Sequence, residues 1–364
     1  MKNRILIIIM MLSFLSLLTA QSSLDETLED LSGAAAESYV GPIVSAFGAS
    51  LNSGWFHKVP KAKLFNLDIE LGLVYMGSFF GKGDETFNVD GSFRFTESQA
   101  RDIVRNSEEV ILDNLEQDEP EVFEALVEAL VMEVYELNIH GPTIIGPEDE
   151  NIFVEFPDNQ PLHVNVNGID FDYILDARSI ELPVGGQLEN LSHMPMIAPQ
   201  LGIGTIYGTK LYTRYMTLDL TSIGKYEYFG IGIQHNPKVY IPFPIPVDFS
   251  ASIFMQDLKL GEYVSARATV YGINVSRTIG PGFLNVTPYA GLMFESSKMK
   301  FKYEYQVSGQ EIDVEPVAIE FEAEGENNAK LTLGTAMNWG IYSMNADFNI
   351  AKYNSFSFGF GFEF

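Results

Sequence analysis

The chain has 364 residues, no cysteine and a formal charge of −27, with 49 acidic against 22 basic side chains. The missing cysteines exclude a disulfide scaffold, thiolate metal sites and a cysteine nucleophile. The acid excess repels phosphate and leaves no basic patch, which excludes nucleic acid as a partner.

The start reads as a secretory signal. "MKNR" is positively charged, "ILIIIMMLSFLSLL" follows as an uncharged core of 14 residues, and "TA" precedes Gln21, with cleavage expected near Ala20. A membrane-spanning helix needs about 20 apolar residues, so this run is too short to be one. Cleavage removes Lys2 and Arg4 and takes the mature charge to −29. No later run reaches helical spanning length. A place in a membrane would therefore require a closed barrel, because only helices and barrels satisfy every backbone polar group in lipid.

Residues 21–60 mix small residues, glycines and short apolar patches, and suit one or two short helices and a loop, too poor in large apolar residues to be a separate domain. Residues 64–80 are the first clear strand. Phe65, Leu67, Ile69, Leu71, Leu73 and Tyr75 share one face; Asn66, Asp68, Glu70 and Gly72 share the other. Acids on one side and large apolar groups on the other fit a barrel wall with a wet lumen. Phe87, Val89, Phe93 and Phe95 suggest a second alternating stretch.

Residues 97–136 carry thirteen acids against Arg101 and Arg105. Phe123, Leu126, Val127, Leu130 and Val134 recur at helical spacing, with Asp118 before Pro120 as a helix start. The region 97–140 reads as a helical acidic insertion, and 141–198 as an irregular segment rich in Pro, Gly and Asn.

From 199 onward strands and short turns alternate. Phe249, Ala251, Ile253 and Met255 interleave with Ser250, Ser252 and Phe254; Tyr342, Met344, Ala346, Phe348 and Ile350 interleave with Ser343, Asn345, Asp347 and Asn349. Tyr226, Tyr228, Tyr240, Tyr303, Tyr305, Trp339 and Tyr353 fall near strand ends, as an interfacial girdle would. The expected fold is an all-β, antiparallel membrane barrel of about 12–14 strands. A soluble β-sandwich also alternates, but it needs no terminal comb of rings. The chain closes on "SFSFGFGFEF", with Phe356, Phe358, Phe360, Phe362 and Phe364 on one face. Lipid is the solvent that accepts five rings in a row on the outside of a sheet.

Candidate chemistry is sparse. "GIGTIYG" lacks the dinucleotide-loop spacing and sits in a strand, where glycines relieve crowding. His57, His140, His163, His193 and His235 share no metal-binding spacing, and no metal or other cofactor is expected. The acids of "PEDEN" read as a solvated face rather than a calcium site. Arg214 and Arg267 stand out because bases are rare in the strands. A charge facing lipid at mid-depth costs about 2–4 kcal/mol, so both are expected in the lumen beside Asp347 or Glu70, as a structural ion pair or a solute contact. No nucleophile motif accompanies the histidines, so no enzyme is expected.

The signal, the barrel body and the ending on Phe364 resemble bacterial outer-membrane proteins. That resemblance implies a lipid bilayer and lipopolysaccharide as surroundings. It also implies that Phe356, Phe358, Phe360, Phe362 and Phe364 carry the signal read by the barrel-assembly machinery. "SYVGPIVSAFGASLNSGWFHKVPKAK", "GPTIIG", "PQLGIGTIYGTKLYTRYM" and "FGIGIQHNPKVYIPFPIPVDFSASIFMQ" resemble an uncharacterised family of outer-membrane barrels. That family is loosely similar to the long-chain fatty-acid transporters, which implies a hatch at 21–60 and passage of a hydrophobic or amphipathic small molecule. The transporters' Asn-Pro-Ala hatch signature is absent from 21–60. The alternative reading is a scaffold or assembly partner that docks through 97–140.

Overall fold

The computed structural model describes residues 24–95, 97–106, 120–156, 160–166, 169–175, 178–182, 184–220, 224–305 and 317–364. The signal segment 1–20 lies outside the described residues. In chain order the elements begin with α1 (Leu24–Leu51), β1 (Phe65–Phe79), β2 (Thr86–Phe93), α2 (Glu97–Asn106), α3 (Pro120–Met132), β3 (Tyr135–Pro142), β4 (Ile152–Phe156), β5 (Gln160–Val166), β6 (Ile169–Leu175) and β7 (Arg178–Leu182). They continue with β8 (His193–Ile206), β9 (Thr209–Leu220), β10 (Gly224–His235), β11 (Asp248–Leu260), β12 (Val264–Ser276), β13 (Leu284–Tyr305), β14 (Val317–Glu324), β15 (Ala329–Trp339), β16 (Tyr342–Ile350) and β17 (Ser355–Glu363). No described helix is long and apolar enough to cross a membrane. Two compact units result: one of residues 40–83 and 190–364, the other of residues 84–189 with the chain before Val40.

The larger unit is an antiparallel barrel. Its wall runs β1-β8-β9-β10-β11-β12-β13-β15-β16-β17, and β17 pairs back onto β1, giving ten strands. Apart from the jump between β1 and β8 and the short β14 that falls between β13 and β15, each wall strand follows its neighbour along the chain, the simple up-and-down order of outer-membrane barrels. At the seam Leu71 faces Phe362, Leu73 faces Phe360 and Tyr75 faces Phe358. The alternation seen in the sequence becomes two surfaces. Phe358, Phe360, Phe362 and Phe364 are exposed on the outside, while Ser355 and Ser357 are buried inside.

The outer surface carries a continuous apolar band, for example Ile231 and Ile233 on β10, Ile253 and Met255 on β11, Leu292 and Phe294 on β13, and Leu331 and Leu333 on β15. Wall strands such as the 9-residue β16 and 11-residue β15 match the roughly 9–11 tilted residues that cross a bilayer. The turn between β8 and β9 is two residues, Tyr207 and Gly208, both with positive φ (46° and 71°), the backbone of a tight hairpin. A side chain at Gly208 would also meet the Asn236 carbonyl oxygen at 2.6 Å.

The wall has ten strands where 12–14 were expected, for two reasons. Thr86–Phe93 is not a wall strand but belongs with β3, β4 and β7 in a separate four-stranded sheet. In the wall, β13 is 22 residues long and pairs with β15 along its first half and β14 along its second, so these two short strands share one return path.

The girdle expectation also changes. Tyr240 and Trp339 are exposed, but Tyr228 and Tyr353 are buried; on β10 the odd positions face outward and the even ones inward. The side chains of Tyr303 and Tyr305 lie outside the described residues.

The smaller unit is built on the sheet β2-β3-β4-β7 and the pair β5-β6, so much of 141–198, read as irregular, is strand. In α3, Phe123, Val127 and Leu130 are buried at helical spacing, and Arg101 of α2 bridges to Glu124 at 2.7 Å. Val134 is exposed because the helix ends at Met132. Pro120 opens α3, where its missing N–H costs nothing, and Asp118 lies outside the described residues.

Candidate functional site: the filled lumen

The barrel interior is occupied by the chain itself. Residues 50–63 run from the Phe79–His193 end of the wall to the Tyr207–Gly208 end, where β1 then begins. The entry is fixed by Ser50, whose hydroxyl lies 2.9 Å from the Ser78 hydroxyl and donates to the Met194 carbonyl at 2.9 Å. The Ser53 hydroxyl sits 2.8 Å from that of Ser355 on β17. At the exit Asn236 donates to the Pro60 carbonyl at 2.7 Å, and the Tyr207 and Gly208 amides donate to Leu64 and Lys63.

Between these ends the wall grips backbone. Arg214 on β9, fully buried, donates to the carbonyls of Ser53 (3.1 Å) and Gly54 (2.6 Å) and to Gln200 Oε1 (2.9 Å). Lys330 on β15 donates to the Asn52 carbonyl at 2.7 Å and lies 2.9 Å from Glu295. Gln256 on β11 donates to Asn52 Oδ1 at 2.6 Å and accepts from the Trp55 indole at 2.6 Å. A buried charge must be paired or fully hydrogen-bonded to persist, and the free carbonyls of a non-helical segment are suitable partners.

A second cluster lies toward the exit. Lys210 on β9 is buried between Asp68 Oδ1 (2.7 Å) and Glu70 Oε2 (2.8 Å) of β1. Lys58 pairs with Glu363 of β17, and Lys61 approaches Asp68 at 3.6 Å. His57 is buried with its Nε2 3.5 Å from Glu70.

The sequence-expected residues therefore part company. Glu70 is a lumen carboxylate, bound to Lys210 and not to an arginine. Asp347 is buried and accepts from Tyr289 (3.0 Å), Ser357 (2.6 Å) and Asn349 (3.0 Å). Arg214 is in the lumen, yet its guanidinium holds the Ser53–Gly54 backbone rather than either acid. Arg267 is a correction. It points outward and pairs with Asp257 at 2.6 Å, while Ala266 and Ala268 on the same strand are buried. Its place is a charged zone beyond the apolar band that includes Lys298, Lys300 and Glu322, where water and counter-charges remove the penalty of facing lipid.

Sequence reasoning missed Lys210, Trp55, Gln256 and Lys330. A signal for Lys210 was present: it shares in-facing parity with Tyr212 and Arg214, and the acids Asp68 and Glu70 needed a base. A cavity of about 10 Å³, room for about one water, lies among Trp55, Phe56, Phe254, Met293, Lys330 and Asp347. No group of three or more metal-ligating side chains is arranged for an ion among the described residues.

A closed antiparallel barrel of even strand number, apolar outside and polar inside, is the β solution to crossing a bilayer; this chain has the fold of an outer-membrane-type β-barrel. It belongs to the Family of unknown function (DUF6588), whose profile matches residues 1–364. No curated protein matches the chain. Among solved structures it is similar to OmpTdeltaL8, a loop-deletion mutant of an outer membrane protein of Vibrio cholerae, at 7% identity over 83% of this chain and 100% of that one, with a TM-score of 0.21. A bacterial polysaccharide outer membrane secretin matches at 6% identity over 81% of this chain and 98% of that one, with a TM-score of 0.22. At such scores the likeness carries no argument; the assignment rests on the strand pairing and the two surfaces.

Replacing Lys210 by Met leaves Asp68 and Glu70 buried without their base. It is expected to destabilise the barrel by about 3–5 kcal/mol, read as a lower urea midpoint for unfolding in lipid vesicles. Arg267→Gln, on the solvated outer zone, is expected to leave the midpoint unchanged. Equal midpoints for Lys210→Met and the wild type would refute the pairing.

Proposed function

We propose that the protein is an exported outer-membrane channel or transporter for a hydrophobic or amphipathic small molecule, held shut by residues 50–63, the C-terminal part of the expected 21–60 hatch, as a plug. The observation that carries this reading is how the plug is fastened. Arg214, Lys330, Gln256 and Asn236 of the wall hold it through hydrogen bonds and Glu363 holds its Lys58 by an ion pair, contacts that water can replace one by one. A barrel serving only as an anchor could fill its interior with apolar side chains and would have no use for a segment threaded end to end.

The signal segment 1–20, cleaved near Ala20, delivers the chain for export. Of the wall strands only β1 precedes the 84–189 insertion along the chain. Bacterial barrels carry their longer connections on the outer side, and the segment between β1 and β8 is the longest connection in the wall, which supports a cell-surface position for it. The rings of Phe356, Phe358, Phe360, Phe362 and Phe364 serve as the signal to the barrel-assembly machinery. Changing Phe362 and Phe364 to Ser should lower the amount of heat-modifiable protein in the membrane; unchanged levels would count against that role.

Channel function is tested in planar bilayers with the full chain. The wild type is expected to be mostly silent. Arg214→Ala combined with Lys330→Ala loosens the plug and is expected to give sustained conductance. Cells carrying that variant should also take up a radiolabelled long-chain fatty acid faster than cells lacking the gene. A variant that folds, conducts nothing and leaves uptake unchanged overturns the reading and leaves a barrel that holds the 84–189 unit at the membrane.

A further inference from the structure

The plug's one tryptophan occupies a bay in the barrel wall whose chemistry is specific. The Trp55 ring stacks on Phe254 of β11, with centroids 4.9 Å apart and planes 22° apart. The Arg214 guanidinium lies 4.0 Å from the indole centroid, in range for a cation–π contact. The indole N–H donates to Gln256 Oε1 of the wall at 2.6 Å and also to the Leu51 carbonyl of its own segment at 3.2 Å. The Gln256 amide is oriented by its other end, which donates to Asn52 Oδ1, so the face it presents to the ring is an acceptor. The bay exists because β10 has a glycine beside it: a Cβ at Gly230 would come within 2.7 Å of the Trp55 ring. Tyr212 closes it edge-on to Phe254 at 5.9 Å.

A flat apolar floor, a cation near the ring and one acceptor on the wall amount to a recognition site for more than packing. An acceptor facing a buried bay discriminates against any ring that cannot donate to it, because it would be left unpaired. The cation favours an electron-rich ring. Trp55 meets both requirements, and it is attached to the segment that Arg214 grips through the neighbouring Ser53 and Gly54 carbonyls.

We propose that this bay is a binding subsite for a planar, electron-rich aromatic solute bearing one N–H or O–H donor, and that Trp55 is its resident occupant in the closed state. The proposal rests on the channel reading above and names its solute class. A solute that takes the bay displaces Trp55 and with it one wall contact of the plug, so binding and opening are linked: the solute favours the state in which the bay is vacant.

The chain has two tryptophans, Trp55 and Trp339, and Trp339 is exposed on the outer wall, 67% accessible. Incorporating 5-fluorotryptophan into the full chain gives one fluorine resonance for the bay and one as an internal reference. Titration with indole is expected to move the Trp55 resonance saturably and leave Trp339 in place. Benzofuran, which matches the shape but has no N–H, should require about tenfold more, the worth of one hydrogen bond. Trp55→Gly should bind indole directly and more tightly than the wild type, and adding Gly230→Leu should abolish that binding.

A Trp55 resonance that stays put up to the solubility limit of indole overturns the proposal. So does benzofuran matching indole, or a folded Trp55→Gly that fails to bind indole. The channel reading stands or falls separately. Conductance from the loosened plug without indole binding sinks only the subsite; displacement of Trp55 without conductance sinks only the channel.

Discussion

The whole structure depends on one constraint: in hydrocarbon no backbone N–H or C=O can go unpaired. A sheet in lipid must therefore close on itself, and here the first wall strand must meet the last. The β1–β17 seam achieves this over the register from Glu70–Glu363 to Ser78–Ser355. Its geometry sets the two surfaces together: once Leu73 and Phe360 point to lipid, Val74 and Gly359 must point inward. The apolar band, the polar interior and the sequence-adjacent strand order follow from closure.

Closure creates a second problem, an interior lined with polar groups and not filled by them. The chain resolves it with its own N-terminal segment, and the bases inside the barrel are arranged around that segment. Arg214 and Lys330 hold its carbonyls; Lys210, Asp68 and Glu70 form a buried triad beside His57. Buried ion pairs are poor sources of net stability, because desolvation offsets much of their attraction, but breaking one is costly. Such contacts specify where the segment sits more than how tightly it is held. That property suits a closure that must be both definite and reversible.

Alternation carried most of what the sequence revealed. The Phe356–Phe364 comb, the split faces of β1 and the polar side of β16 all lie as their parity required. Parity alone does not say which sheet a strand joins, so Thr86–Phe93 alternated like a wall strand and belongs elsewhere. Nor does it say which face is lumenal when both are mixed. On β12, alanines at 266 and 268 face the interior and Arg267 faces out, because the strand there extends past the apolar band into water. The contacts of the lumen were out of reach for a different reason. Ser53 and Ser355 are 302 positions apart, and no local pattern ties one to the other. Lys210 was readable in principle, from the requirement that two in-facing acids have a base.

That residues 50–63 lie inside the barrel in the membrane is tested most directly by a cross-link. With no native cysteine, the double substitution Ser53→Cys, Ser355→Cys introduces the only thiol pair in the chain, placed where the two hydroxyl oxygens are 2.8 Å apart. Mild oxidation of the membrane-embedded protein is predicted to link the two in nearly every molecule. Before oxidation, the thiol introduced at position 53 is predicted to be shielded from a membrane-impermeant maleimide. Absence of the cross-link, together with rapid labelling of that thiol, would contradict the account.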